Sequence, residues 1–375
     1  MKRHISVLIP RLAIPGQKIG GAERVAINLA NGIAAVGIPT DLVVFRPESM
    51  LQDEISQTVH VVSLEARNWL EAFPRLRRYL LDARPTAILA QDNRAGILAM
   101  LARKSTNVST RVIVTIHDTL SQRWSETSIW KKKFARNFVR PFLLKADAVV
   151  AVSREAAEDL VSLIRLPRNH VKVIYNPVLS DGIFDKAKEE PQLPWFGSKD
   201  PPVILGVGRL CKQKDFETLL KAFALVRQKL EAKLVILGEG EMRHELEKLA
   251  RELSIEHDVM MPGVVKNPFP YISRAAVFVL SSRHEGLPTV LIEALALGTP
   301  IVSTNCPSGP AEILENGRWG RLVPPGDPQA MAEAIVERLG EPRRPVPHEA
   351  WTRFTIEESV ERYLQLIKES HKRGP

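Results

Sequence analysis

Cysteine is almost missing from this chain: two in 375 residues, Cys211 and Cys306, far apart and without metal-ligand spacing. That excludes a disulfide framework and a cysteine metal centre, and reduced thiols in a cytoplasmic protein are the simplest account. Long apolar runs are missing too. None approaches the ~18 residues of a membrane-spanning helix. The opening Met1-Lys-Arg-His-Ile-Ser-Val-Leu-Ile-Pro-Arg has the charge of a secretion signal. Pro10 and Arg11 cut its apolar stretch short, so it reads as a first β-strand. There is no Gly-x4-Gly-Lys-Ser/Thr phosphate loop, no Gly-x-Ser-x-Gly elbow, no repeat and no low-complexity tract.

What is present is an ordinary globular composition, 45% apolar and 25% charged, in a length that suggests two domains. Its charge is unevenly spread. Residues 1–180 hold 26 Lys/Arg against 15 Asp/Glu, and the remainder holds 26 against 28, so the net +9 belongs to the first half. Such asymmetry argues for a local anionic partner.

Short β-branched runs alternate with helical patterns. In the first half the strands are expected at 5–9, 41–45, 59–62, 86–89, 112–116 and 148–152, with helices such as 23–34, 95–103 and 154–164 between them. This alternation predicts an α/β fold with a doubly wound parallel sheet. Val171-Lys-Val-Ile174 then runs into Tyr175-Asn-Pro-Val178, a chain exit. The polar stretch 181–200 reads as a linker. A second alternating series follows, with strands at 203–207, 233–237, 259–261, 277–280, 301–304 and 321–323. A last helix opens at Thr355-Ile-Glu-Glu358, a capping box. The domains expected are thus 1–180 and 201–349, followed by a C-terminal helix in 350–375. Open parallel sheets bind ligands beyond the carboxyl ends of their strands, and the informative motifs fall there.

The densest motif is Arg283-His-Glu-Gly-Leu-Pro-Thr-Val-Leu-Ile-Glu-Ala-Leu-Ala-Leu-Gly-Thr-Pro300. Ser281 and Ser282 end a strand and Pro288-Thr289 open a helix, which puts Glu285 in the loop and Glu293 inside the helix. The N–H groups of the helix start favour an anion. A carboxylate at each end of an anion site suits a ligand with hydroxyls at both ends and phosphates between, as in a nucleotide-sugar. Glu293 is surrounded by Leu291, Ile292, Leu295 and Leu297, where a carboxylate needs a partner or a task.

Gly206-Val-Gly208-Arg209-Leu-Cys-Lys-Gln-Lys214 follows the first strand of the second half, so Arg209 and Lys214 are candidates for a diphosphate, or else ordinary surface charge. Gly20-Gly21 before the first helix is a candidate anion-accepting turn, with a plain glycine-rich loop as the alternative. His117, at the end of a strand, is placed to hydrogen-bond a sugar hydroxyl or a developing charge. Asp118 beside it is a candidate cap. Leu237-Gly-Glu239-Gly240 reads as a tight turn, and Pro262-Gly-Val264-Val265 as a loop that presents backbone groups to a base. Ser308 in Cys306-Pro-Ser-Gly-Pro310 either contacts a donor or caps a helix.

The Glu285-x7-Glu293 context resembles the retaining glycosyltransferases of GT-B architecture, family 4. The likeness covers most of the chain and is densest over 203–325. It implies two Rossmann-like domains facing across a cleft, the first holding the acceptor, the second the donor, with the last helix returning to the first domain. It implies that Glu293 accepts from ribose hydroxyls and that Glu285 holds a hydroxyl of the transferred sugar. Arg209 and Lys214 neutralise the departing diphosphate, helped by Gly20, Gly21 and the helix start at Thr289 and Val290. His117 touches the donor sugar, and Gly286, Leu287 and Val264 complete the donor site. Asp-x-Asp, the metal-holding motif of the other large glycosyltransferase architecture, is absent, so no metal is expected.

The motifs look most like bacterial enzymes that use UDP-hexoses or UDP-N-acetylhexosamines in lipopolysaccharide or exopolysaccharide assembly, with GDP-mannose as the alternative. The expected acceptor is lipid-linked or a saccharide at the inner membrane face. Two clusters mix basic and aromatic residues: Trp130 to Lys145, with Lys131–Lys133 and Phe134, Phe138 and Phe142, and Arg67 to Tyr79. They suit anionic headgroups, or else are solvated helices whose aromatics belong to the core. No nucleic-acid signature is present. A dinucleotide-dependent oxidoreductase is the rival enzyme class, but Cys211 stands where its third glycine is required. A non-catalytic nucleotide-sugar-binding protein is the other rival.

Overall fold

The computed structural model describes residues 4–10, 21–46, 52–123, 129–197 and 200–369. Among these residues the strands form two wholly parallel sheets. The first comprises β1 (Ile5–Ile9), β2 (Thr40–Val44), β3 (Val59–Ser63), β4 (Ala87–Ala90), β5 (Arg111–Ile116), β6 (Ala148–Ala151) and β7 (Val171–Val173). Its order is β3-β2-β1-β4-β5-β6-β7, with Ile5 of β1 level with both Thr40 and Ala87. The second comprises β8 (Val203–Val207), β9 (Lys233–Leu237), β10 (Val259–Gly263), β11 (Val277–Leu280), β12 (Ile301–Thr304) and β13 (Arg321–Val323), in the order β10-β9-β8-β11-β12-β13. The strand order reverses between β1 and β4 in one sheet and between β8 and β11 in the other. These reversals open the crevices in which doubly wound folds bind ligands.

The continuous apolar runs form strands because both faces of each sheet are covered. Alternate residues of one strand feed different cores. Leu8, Val43, Ile88, Val112 and Val114 pack with Leu76, Leu80 and Leu98. Ile5, Val7, Leu42, Leu89 and Ile113 pack with Ile27 and Ile33 of helix Gly21–Ala35 and with Tyr363 and Ile367 of helix Ile356–Glu369. Helix starts follow local chemistry. Asn68, Asp92, Ser153 and Asp327 each accept a hydrogen bond from the backbone N–H three residues on. At the last helix the Thr355 hydroxyl accepts from Glu358 N at 3.3 Å.

The chain divides into two compact units, Met1–Val178 with Phe354–Pro375, and Leu179–Arg353. Tyr363 Oη lies 2.9 Å from Thr115 Oγ1 of β5, and Ser359 Oγ donates to Tyr175 O at 2.9 Å, which ties the last helix into the first unit. The short run 171–174, read as leading to a chain exit, is the seventh strand on the edge of β6. The stretch 181–197 packs on the second unit through named bonds. Asn267 Nδ2 donates to Lys186 O at 2.9 Å, Arg274 Nη1 to Glu189 O at 2.8 Å, and Gln192 N to Tyr271 Oη at 3.1 Å. It also carries a helix, Gly182–Lys186. These partners come from 267–274, in and just before the helix Phe269–Arg274, which no local pattern announces.

Candidate functional site

Four connections at the carboxyl edge of the second sheet are laced together. The loop after β8 is pressed on the turn after β9: Gly208 N donates to Leu237 O and Leu210 N to Glu239 O, each at 2.9 Å. Gly238 has φ +146°, and a Cβ there would lie 1.9 Å from Gly208 O, so only glycine permits this approach. The stem of Lys214 lies over Gly208, whose own Cβ would meet Lys214 Cε at 3.3 Å. Lys214 is thereby folded back toward the loop after β11.

There its Nζ lies 2.6 Å from Glu285 Oε1. Ser282 Oγ donates to the same oxygen at 2.6 Å. Neighbouring bonds fix the frame: Ser281 Oγ to Lys214 O at 2.7 Å, Arg283 N to Gln213 O at 2.8 Å, and Gln213 Nε2 to His284 O at 2.9 Å. Arg283 pairs with the buried Asp215 at 3.0 Å. The loop after β12 closes the third side. Thr304 Oγ1 donates to Ser282 O at 2.6 Å, Glu285 N to Pro307 O at 3.1 Å, and Ser308 Oγ to Gly286 O at 2.7 Å. Cys306 is buried, and burial together with the adjacent Glu285 carboxylate pushes its thiol up to about 12. It stays a neutral thiol at physiological pH.

Helix Thr289–Ala296 begins at Pro288, which supplies no side-chain cap for its first backbone N–H groups. Gly286 and Leu287 are buried in the turn ahead of it, and Thr289 and Val290 are half-buried. Glu293 is 3% exposed on this helix. Arg209 is exposed on the loop after β8. Val264 is 58% exposed just past the end of β10. Glu239 is paired with Arg243, whose hydrogen bond holds its carboxyl below the usual carboxylate range. A cavity of about 300 Å³ adjoins the Asp215–Arg283 pair, lined also by Cys211, Lys212, Phe216 and Met242.

The first unit carries its own candidates. His117 follows β5, and its Nε2 lies 3.2 Å from Oε1 of Gln91, which follows β4. Burial lowers the His117 pKa against the opposing pull of Asp118 and Asp92, so the ring is neutral near pH 7. Its Nδ1 has no hydrogen-bond partner among the described residues. Gly21 is the first residue of helix Gly21–Ala35, while Gly20 lies outside the described residues. The basic run Lys131–Lys133 has its backbone in helix Ile129–Lys145, and its side chains, with that of Phe134, also lie outside the described residues.

The structure therefore brings Gly208, Lys214, Glu285 and the helix start together and places Glu293 on that helix. Ser281, Ser282, Asp215 and Thr304 are participants that the sequence reading passed over. Local pattern marks the two serines only as the end of a strand, and a hydroxyl's role depends on which oxygen lies within 3 Å of it. The one signal available was Ser-Ser three residues ahead of a glutamate.

Two family models match this chain. "Glycosyltransferase Family 4" matches residues 19–180, and "Glycosyl transferases group 1" matches residues 201–341. The chain is 32% identical to N-acetylgalactosamine-N,N'-diacetylbacillosaminyl-diphospho-undecaprenol 4-alpha-N-acetylgalactosaminyltransferase of Campylobacter jejuni subsp. jejuni serotype O:2, over 66% of this chain and 65% of the relative. In two others, each at 35% identity, the matched stretch covers 43% and 50% of the relative's own length. A second Campylobacter jejuni protein, GalNAc-alpha-(1->4)-GalNAc-alpha-(1->3)-diNAcBac-PP-undecaprenol alpha-1,4-N-acetyl-D-galactosaminyltransferase, is 28% identical over 93% of this chain and 95% of its own. Among solved structures, sucrose-phosphate synthase from Thermosynechococcus elongatus superposes with a TM-score of 0.81 at 22% identity, covering 99% of this chain and 100% of that one. With a family 4 match over β2 to β7 of its first sheet, a group 1 match over its second and this shared architecture, the chain belongs to the family 4 glycosyltransferases of GT-B fold.

Proposed function

We propose that this protein moves a hexose or N-acetylhexosamine, with retention, from a nucleotide-diphosphate sugar, most readily a UDP-sugar, to a lipid-linked or saccharide acceptor in polysaccharide assembly. The observation that carries this reading is the carboxylate Glu285 held by Lys214 and Ser282 at the strand-order reversal of the second sheet, beside the start of helix Thr289–Ala296. Both donors meet at Oε1, and no described residue donates to Oε2. A carboxylate so held is a hydroxyl acceptor with one oxygen to offer. Glu285 grips the transferred sugar and Glu293 accepts from the ribose. Arg209, Lys214 and the N–H groups at Thr289 and Val290 stabilise the leaving diphosphate. The charge is met by protein groups, and transfer is expected to persist in a strong chelator. Departure and attack occur on one face of the sugar, which the anomeric configuration of the product tests by NMR. His117, neutral, supplies a hydrogen bond to a hydroxyl.

Two relatives whose names specify diphospho-undecaprenol or PP-undecaprenol acceptors support a lipid-linked acceptor here. So does the first unit's charge. On helix Trp69–Ala83, Leu70 is 86% exposed, and Pro74, Arg77 and Arg78 are exposed along one side with it. Such a face suits an anionic interface, and binding to phosphatidylglycerol vesicles that weakens from 0.1 to 0.5 M salt is expected. The decisive experiment measures nucleotide release over a panel of UDP-, GDP- and ADP-sugars. Turnover of one donor, lost in Glu285→Ala, is expected. Full activity of that variant refutes the assignment.

A further inference from the structure

In the second unit, two charges assigned above to a ligand answer each other instead. The Lys214 ammonium and Glu285 carboxylate lie 2.6 Å apart, with side chains 16% and 8% exposed. At such burial the attraction is stronger than between solvated charges. The pairing is built into the loop. The lysine stem is folded over Gly208, its carbonyl takes Ser281 Oγ at 2.7 Å, and Ser282 Oγ shares Oε1 with the ammonium. Arg209, on the same loop, is exposed and available to an incoming anion.

We propose that Lys214 is a displaceable cap on Glu285. In the free protein the ammonium sits on Oε1 and neutralises the carboxylate, which weakens Oε2 as an acceptor. A diphosphate draws it away, and Glu285, still held by Ser282, is then uncovered for a sugar hydroxyl. The proposal rests on the nucleotide-sugar reading above and adds an order to it. A lysine suits this exchange because its ammonium is a point charge on a flexible stem, able to change partner without breaking a bidentate geometry. Ser282 suits the other half, since its hydroxyl is fully buried and keeps the carboxylate in place once the ammonium leaves. A sugar without a diphosphate meets a neutralised Glu285, so the site discriminates against free monosaccharides. The diphosphate, for its part, binds more weakly than it would to an unpaired lysine.

The test is calorimetric titration of UDP, GDP and ADP into wild type, Glu285→Gln, Lys214→Met and the double variant, each checked by thermal melting. Glu285→Gln is expected to bind the preferred nucleotide about tenfold more tightly than wild type, because no carboxylate competes for the ammonium. Lys214→Met is expected to bind it about tenfold more weakly, and adding Glu285→Gln to that variant is expected to change nothing. Equal or weaker binding by Glu285→Gln overturns the cap. So does the same tightening in the Lys214→Met background, which marks simple repulsion between Glu285 and the diphosphate. If no nucleotide binds any folded variant, the nucleotide-sugar reading itself fails. Should Lys214→Met not fold, Lys214→Gln serves in its place.

Discussion

Two shielded carboxylates sit at opposite kinds of sheet edge, and they are held differently. Asp41, at the amino end of β2, is ringed by donors. His4 Nε2 lies at 3.0 Å and Tyr79 Oη at 2.6 Å from Oδ2, and His60 Nδ1 lies 3.2 Å from Oδ1. Ser6 Oγ completes the set, 2.6 Å from Tyr79 Oη. Glu285, at the carboxyl end of β11, has both its donors on one oxygen. The first arrangement engages both oxygens inside the protein and ties β1, β2, β3 and helix Trp69–Ala83 together. The second leaves an acceptor over. A carboxylate saturated by its own fold is structural, whereas one held from a single side is prepared for something that arrives. This difference is geometric, and both carboxylates look alike in a list of buried acids.

The sharpest way to break the contrast is to remove each carboxylate in turn. Glu285→Ala is expected to lower transfer by about 10²–10³-fold, a loss comparable to that of one electrostatic stabiliser, on top of the melting cost of leaving Lys214 and Ser282 without their acceptor. Asp41→Ala is expected to leave transfer intact while removing about 1–3 kcal/mol from the first unit, since buried donors lose their acceptor. Activity and melting curves on both variants decide this; a shared outcome erases the distinction. Next in size, Ser282→Ala is expected to lower transfer about tenfold, with rescue by Ser282→Thr, since a charge-assisted bond is worth roughly 1.5–3 kcal/mol.

The pH response separates the two edges further. The Asp41 hydrogen bond raises His4 above its ordinary 6.5, against burial. Its contribution is therefore full below 6.5 and lost as pH climbs through the raised value. Burial pushes Asp41 up, but the hydrogen bonds of His4 and Tyr79 outweigh it and leave the carboxyl below its ordinary 3.8. That contribution is present above 3.8 and fades as pH falls through the depressed value. Melting of the protein across pH 4–9 is expected to show a first-unit optimum on the mildly acidic side, flattened in His4→Gln. The smallest effect expected is for Tyr363→Phe, which removes the Thr115 contact and about 1 kcal/mol, read by denaturant midpoint.

Much of this was legible beforehand. All strands of both sheets except the seventh were visible as short β-branched runs, because burial on both faces leaves no room for polar alternation. The Glu285–Glu293 stretch was visible because its proline and apolar spacing announce a helix start after a strand. The seventh strand was not legible. Three residues on an edge gain their identity from β6, and a run that short reads equally as an exit. Nor was the role of 181–197, whose polar groups find their partners more than 75 residues away, at Asn267, Tyr271 and Arg274. His117 was picked out by its strand-end position, but its neutral state came from burial.

By itself the sequence determined the elements, their parallel alternation and the loops that bear the charged motifs, because period, capping and turn chemistry act over a few residues. Only the tertiary structure decided that Lys214 is spent on Glu285, that Ser282, its own carbonyl taking the Thr304 hydroxyl, holds that carboxylate in place, and that both oxygens of Asp41 are engaged while only one of Glu285 is. Apart from Ser282, three positions from Glu285, these partners meet at about 3 Å from some 20 to 70 positions apart, and hydrogen-bond and Coulomb energies fall too steeply with distance for spacing along a chain to predict them.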